Sequence, residues 1–250
     1  MSALNPPGNT TDVALTLKIK GILDEFCPYS ASLHCALFHV SHTYMKAMSA
    51  AAKPRRYVQR ARAEAAQATA RRIIDAFLAR LMTQWFDEIT LERVAEDAGV
   101  TVQTTVRRFG GKDGLLAEAV KVLGTQIVAC RAAPAGKVER LVANLVEDYE
   151  HTGDAVIRLL ALEARHPAVR SVAEFGRREH RGWVAAAFAE ALGRLPFPAR
   201  QRALDALLVT TDVYVWKLLR RDMRKSPAAT TTTMGALVRA ALVQLASPRS

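Results

Sequence analysis

The chain has 250 residues, half of them hydrophobic, and its 35 Lys and Arg outnumber 24 Asp and Glu to give a formal charge of +11. That length can bury a full core, as one large domain or as a small domain joined to a larger one, and the charge points to a polyanionic partner, either nucleic acid or an anionic membrane surface. No stretch approaches the roughly 18 unbroken apolar residues of a membrane span, the N-terminus lacks a signal-peptide pattern, and Cys27, Cys35 and Cys130 are too scattered for a disulfide framework, so a soluble cytoplasmic protein in a reducing compartment is expected.

The first 54 residues contain no arginine, although they hold two of the three cysteines, three of the six histidines and the turn-forming run NPPGNTTD. They read as a disordered or loosely helical extension, and a start assigned too far upstream of Met45 and Met48 would produce the same break. Cys27, Cys35, His39 and His42 could be metal ligands by type. Seven residues separate the two cysteines, however, where zinc modules place two to four, so no metal is expected.

From about residue 55 onward the apolar spacing is helical and shows no strand-type alternation. The run KPRRYVQRAR holds Lys53, Arg55, Arg56, Arg60 and Arg62 without an acid, an arm able to follow a phosphate backbone. Ile73, Ile74, Phe77, Leu78, Leu81 and Met82 then form one face of a helix expected from about Ala61 to Thr83, with Trp85 and Phe86 after it as core aromatics. Thr90 stands where an N-cap belongs, Leu91, Val94, Ala95 and Ala98 make a short apolar stripe, and Gly99 supplies a left-handed stop.

Thr101 is placed to cap the next helix, TVQTTVRRF. At about 100° per residue, Gln103, Thr104, Arg107 and Arg108 share one arc, while Val102, Val106 and Phe109 fall opposite as a docking stripe. The front carries amide, hydroxyl and guanidinium groups, which are the groups that contact base edges and phosphates. Two short capped helices joined by a tight Gly-containing turn make a helix-turn-helix, whose second helix enters the major groove. Lys112 follows at the first turn of another helix, where free N–H groups and the dipole favour an anion such as phosphate.

Residues 71–120, RRIIDAFLARLMTQWFDEITLERVAEDAGVTVQTTVRRFGGKDGLLAEAV, resemble the DNA-binding domain of TetR-family transcriptional regulators. The likeness lies in the T-x-x-x-V-A-x-x-A-G-V helix and turn, the R-R-F end of the recognition helix and the G-x-K-x-x-L-L that follows. It implies an all-α fold: an N-terminal three-helix DNA-binding domain (55–131 here, behind the 1–54 extension) and a C-terminal helical effector-binding and dimerisation domain (132–250). On that basis the expected DNA-contacting set is Thr90, Thr101, Val102, Gln103, Thr104, Thr105, Arg107, Arg108 and Lys112, with Arg55 and Arg56 from the arm. Many family members place tyrosines late in the recognition helix, one of them on a phosphate. Val106 and Arg108 stand there instead, which moves that contact to Arg107 or Arg108.

The rest of the chain agrees with such a second domain. Helical periods run over residues 137–151, 154–165, 167–192, 198–223 and 228–246, most of them divided by Gly, Pro or Ser. Between Ala203 and Met223 the apolar residues cover so wide an arc that one side can pack inside the subunit and another against a partner, and Leu237, Val238, Ala241, Leu242 and Leu245 add a stripe. A homodimer through the last two helices is expected, bound to a pseudo-palindromic operator in double-stranded DNA and answering to a small-molecule effector. Tyr149, Trp183, Phe188 and Trp216 could line the effector site, although core packing explains each of them better. No cofactor or membrane is implied. An enzyme would need converging catalytic groups, which His151, His166 and His180 do not supply, whereas a helical adaptor leaves the basic face unexplained and a nucleoid-type binder needs no capped module.

Overall fold

A computed structural model of the chain describes residues 54–132 and 137–246, with side chains from Gln59 to Ala132 and from Lys137 to Val243. The extension ahead of Pro54, including Cys27, Cys35, His39 and His42, lies outside the described residues, as do the side chains of Arg55 and Arg56. The described residues from Ala70 onward form one compact unit. The described residues are all-α, with no strand among them.

Helix α1 runs from Pro54 to Leu81, so it starts earlier than the periodicity predicts, with Pro in the first helical position where its missing N–H costs nothing. Residues 59–68 are exposed. Beyond them the predicted apolar face is realised: Ile73 and Phe77 are fully buried, and Ile74, Leu78 and Leu81 are nearly so. Each such side chain contributes about 1.5–3 kcal/mol through burial. Phe86 packs edge-on against Phe77, with ring centroids 6.5 Å apart, but Trp85 is 40% exposed and is no core residue.

Helix α2, Leu91–Asp97, is capped by the Thr90 hydroxyl, which accepts from the Arg93 amide at 3.4 Å. It ends at Gly99, which has a φ of 63°, where the Gly99 and Val100 amides donate back to the carbonyls of Glu96 and Ala95. This pair of bonds is the Schellman stop that a left-handed residue permits. Arg80 ties α1 to α2 through Asp97 at 2.6 Å. Helix α3 (Val102–Phe109) and helix α4 (Lys112–Cys130) follow.

The remaining helices are α5 (Val138–Leu162), α6 (Pro167–Ala187), α7 (Ala189–Gly193), α8 (Phe197–Thr211), α9 (Val213–Lys217) and α10 (Pro227–Ala246). Helix α5 is central, packing on α6, α9 and α10, while α4 lies on α6 and α8 on α10. Expected boundaries change, and the helix expected over 167–192 is interrupted at Phe188, between α6 and α7. The break expected near His151 is absent because Gly153 sits under the indole of Trp216, where a Cβ would come within 2.4 Å of the ring. The single helix expected over 198–223 is broken at Asp212, which is extended at ψ 149° and caps α9 by accepting from the Tyr214 amide at 2.8 Å. A π-helical turn, Leu218–Asp222, closes α9 and is pinned to α5 by Arg220 on both oxygens of Glu150 and Arg221 on both of Asp154.

Candidate nucleic-acid interface

Local chemistry sets the geometry of α3. The Thr101 hydroxyl accepts from the Thr104 amide at 3.2 Å and meets the Thr104 hydroxyl at 2.9 Å, while Gly110, at φ 76°, ends the helix after two turns. Gln103, Arg107 and Arg108 are exposed, and none of their side chains has a hydrogen bond or ion pair among the described residues. Thr90 and Thr101 are exposed at the two N-caps, and Thr104 is half-buried.

The back of α3 differs from the expected stripe. Thr105 is fully buried and Val106 is 42% exposed, so the docking side is Val102, Thr105 and Phe109. Thr105 therefore leaves the set of DNA-contacting residues. Its Oγ1 is buried without a hydrogen-bond partner. Val102 keeps only partial exposure at the first turn.

Lys112 also differs from expectation. Its Nζ donates to the carbonyls of Phe86 at 2.7 Å, Ile89 at 2.9 Å and Asp87 at 3.3 Å, and it lies 4.4 Å from the centre of the Phe86 ring. Burial pushes the ammonium below its ordinary value, and the charges of Asp87 and Asp113 work against that shift. An ammonium has three donors, and this one has placed all three on the turn between α1 and α2. The phosphate contact expected of its side chain is therefore replaced by an internal brace that holds α4 against that turn.

A second site lies deeper in the same unit. A cavity of roughly 460 Å³ is bounded by Leu81 and Met82 at the end of α1, by Leu123 and Ile127 of α4, by Val156 of α5, and by Phe175 and Trp183 of α6. Its polar end is formed by Arg131, Tyr149, Thr152 and His180. Arg131, just past the end of α4, holds Asp148 of α5 through Nε at 2.7 Å and Nη2 at 2.5 Å, and its guanidinium lies 5.1 Å from the Tyr149 ring and 5.4 Å from that of Trp183. Of the four aromatic candidates, Tyr149 and Trp183 line the cavity, whereas Phe188 and Trp216 are buried in the core. Sequence reasoning missed Arg131 and Asp148. The available signal was Asp148 in the stripe Leu141, Leu145, Thr152 and Ala155, because a carboxylate on a core-facing line needs a cation.

The cavity lies against the end of α1. Arg158 of α5 donates to the carbonyls of Leu81 at 3.2 Å and Met82 at 2.7 Å, capping the end of α1, and His166 packs edge-on against Phe86 with ring centroids 5.9 Å apart. Helix α4 is braced at its start by Lys112 and at its end by Arg131.

Solved structures share this arrangement of helices. The crystal structure of a candidate TetR-family transcriptional regulator from Rhodococcus sp. matches with a TM-score of 0.58 at 14% identity, over 70% of this chain and 99% of its own. The chain has the TetR-type fold. A transcriptional regulator from Rhodococcus sp. Rha1 gives a TM-score of 0.57 at 15% identity, over 72% of this chain and 99% of its own. A candidate transcriptional regulator from Pseudomonas aeruginosa PAO1 gives 0.56 at 19%, over 70% and 90%. No family model matches the chain, and no curated protein is similar to it. At these identities the TetR-type likeness is one of fold, and what α3 and the cavity do rests on their own side chains. Among the described residues, no helix is long and apolar enough to cross a membrane.

Proposed function

We propose that the protein is a homodimeric, sequence-specific DNA-binding transcriptional regulator of the TetR type, acting as a repressor released by a small molecule. The observation that carries this reading is the exposed, unpaired face of Gln103, Arg107 and Arg108 on a helix whose other side is docked and whose ends are both capped. Guanidinium and amide groups held in that way match the major-groove edges of guanine and adenine. Thr101 and Thr104 at the N-terminal end are placed for phosphate or a thymine methyl, and with Lys112 turned inward the anion at the start of α4 would meet backbone N–H groups instead. In this reading 55–131 is the DNA-binding part and 132–250 the effector-binding and dimerising part.

The dimer is supported by apolar side chains left at the surface of the last helices. Leu207, Val213 and Trp216 are buried, while Val209, Tyr214 and Leu218 on the same stretch are at least half exposed; on α10, Met234 and Val238 are buried and Leu237 and Val243 are exposed. One side packs inside the subunit, and a second copy would cover the other. The ligand response is supported by a cavity that has the end of α1 and one side of α4 in its wall. A ligand that favours one placement of these helices changes the spacing of the two recognition helices, and DNA changes ligand affinity by the same factor.

Selection of bound sequences from random duplex DNA with the purified full chain tests the reading. A palindromic consensus is expected, with Arg107→Ala and Gln103→Ala relaxing preference at particular base pairs by about 1–3 kcal/mol each. Enrichment of no sequence would replace this reading with that of a non-specific basic DNA binder.

A further inference from the structure

The polar end of the cavity is rich in donors and carries no net charge. Asp148 accepts the Arg131 Nε–H on Oδ2 at 2.7 Å and has Nη2 2.5 Å from the same oxygen, contacts that belong to an ionised carboxylate. Nη1 of Arg131 lies 3.3 Å from Nδ1 of His180, and the other ring nitrogen lies 3.1 Å from the Thr211 hydroxyl, which itself donates to the Leu207 carbonyl. The ring therefore accepts at Nδ1 and donates at Nε2, as only a neutral imidazole can. Burial, helped by the charge of Arg131, pushes His180 down to about 4, in agreement with that geometry. The Tyr149 hydroxyl donates to the Thr211 carbonyl at 3.0 Å, and burial raises it, so it too is neutral.

The two arginines at the rim are each paired. Arg177 is bound to Glu163, and Arg181 lies 3.7 Å from Asp205. Glu179 and Asp212 also reach the wall, Asp212 with its carboxylate on the Tyr214 amide; the rest is apolar, and the volume falls within the range of small-molecule sites. Resting on the reading of the protein as a ligand-responsive regulator, we infer that this cavity takes an uncharged, largely apolar ligand bearing one hydrogen-bond-accepting group, of the carbonyl kind, aimed at Arg131. A guanidinium has five N–H donors; Nε–H goes to Asp148, Nη2 lies against the same carboxylate and one Nη1–H faces His180, which leaves the second Nη1–H for a ligand. A carboxylate ligand would lose its hydration to face a cation that Asp148 has already neutralised, and an ammonium ligand would face the guanidinium itself.

The test is displacement of N-phenyl-1-naphthylamine, a neutral fluorophore that brightens in apolar surroundings, from the full chain without DNA. Competitors are 2-undecanone, undecanoate and decyltrimethylammonium, each below its micelle concentration. The ketone is expected to displace the fluorophore at concentrations on the order of tenfold lower than either charged competitor. Undecanoate equal to or better than the ketone overturns the inference, and so does saturable binding by none of the three. Asp148→Asn keeps the shape and leaves the guanidinium uncompensated, so it should move the preference to undecanoate; a folded variant that ranks the three as the parent does also overturns it. Should that variant fail to fold, the parent ranking decides alone. Ketone binding without a palindromic DNA consensus removes the regulator reading and leaves the ligand class standing, whereas a consensus without ketone binding does the reverse.

Discussion

Arg107 and Arg108 on α3 stand at the surface without a carboxylate partner among the described residues, whereas Arg131, Arg220 and Arg221 each close on one: Asp148, Glu150 and Asp154. The same residue type does two different jobs within one compact unit. A guanidinium that has found its carboxylate fixes one helix to another, and one left without is available to a polyanion. Lys112 shows why sequence position alone does not decide which case applies. It sits where a phosphate-binding cation is expected, and three backbone carbonyls have claimed it.

The comparison is broken most severely by removing the paired member in the C-terminal part. Arg131→Met takes the cation away from the buried Asp148 carboxylate and from the faces of the Tyr149 and Trp183 rings, and about 3–5 kcal/mol of stability should be lost in denaturant unfolding. Arg107→Ala, which breaks no pair, should leave unfolding unchanged within about 0.5 kcal/mol and relax DNA preference at particular base pairs. Equal stability losses for the two variants would erase the distinction.

His180 extends the buried network and gives it a pH dependence. Its folded value is pushed down to about 4 by burial and by Arg131, below the ordinary value of 6.5. Between those two values the unfolded chain binds a proton that the folded chain does not, so stability is fully present above pH 6.5 and declines as the pH falls toward 4. The contribution reaches roughly 3 kcal/mol, and His180→Gln should remove that part of the slope in unfolding measured from pH 7 to 4.

For Lys112 the expected change is smaller and of a different kind. Lys112→Met keeps the stem over Phe86 but strips three carbonyls of their donor, at a cost of about 1–3 kcal/mol in stability. The salt slope of DNA binding should stay that of the parent. A slope reduced by one unit would return Lys112 to the phosphate-contacting set and blur the contrast with Arg107.

The sequence made the helix-turn-helix legible because its signals are local. Thr90 and Thr101 cap within three residues and Gly99 turns where it stands, so their roles follow from spacing. The buried faces of α1 and α2 were equally readable from period. What was hidden depends on partners far along the chain: Arg131 with His180, Arg158 with Leu81, Glu150 with Arg220, and the indole of Trp216 over Gly153. No periodicity carries such pairings. The failure at Val106 was finer: with only eight residues in α3, a small rotation of the helix exchanges Val106 for Thr105 at the packed edge.

That exchange gives the last prediction. Thr105 is fully buried and its hydroxyl oxygen has no partner, so the back of α3 contains a polar atom where the docking stripe calls for an apolar one. Thr105→Val replaces that hydroxyl by a methyl of similar size and should raise stability by about 1 kcal/mol with DNA preference unchanged, since the side chain faces away from Gln103 and Arg107. A change in the selected DNA sequence with stability unaltered would mean that Thr105 turns outward to reach a base and that the helix face begins one residue further round. The unpaired hydroxyl thus separates the docking side of α3 from its reading side, and the variant measures where the border between them falls.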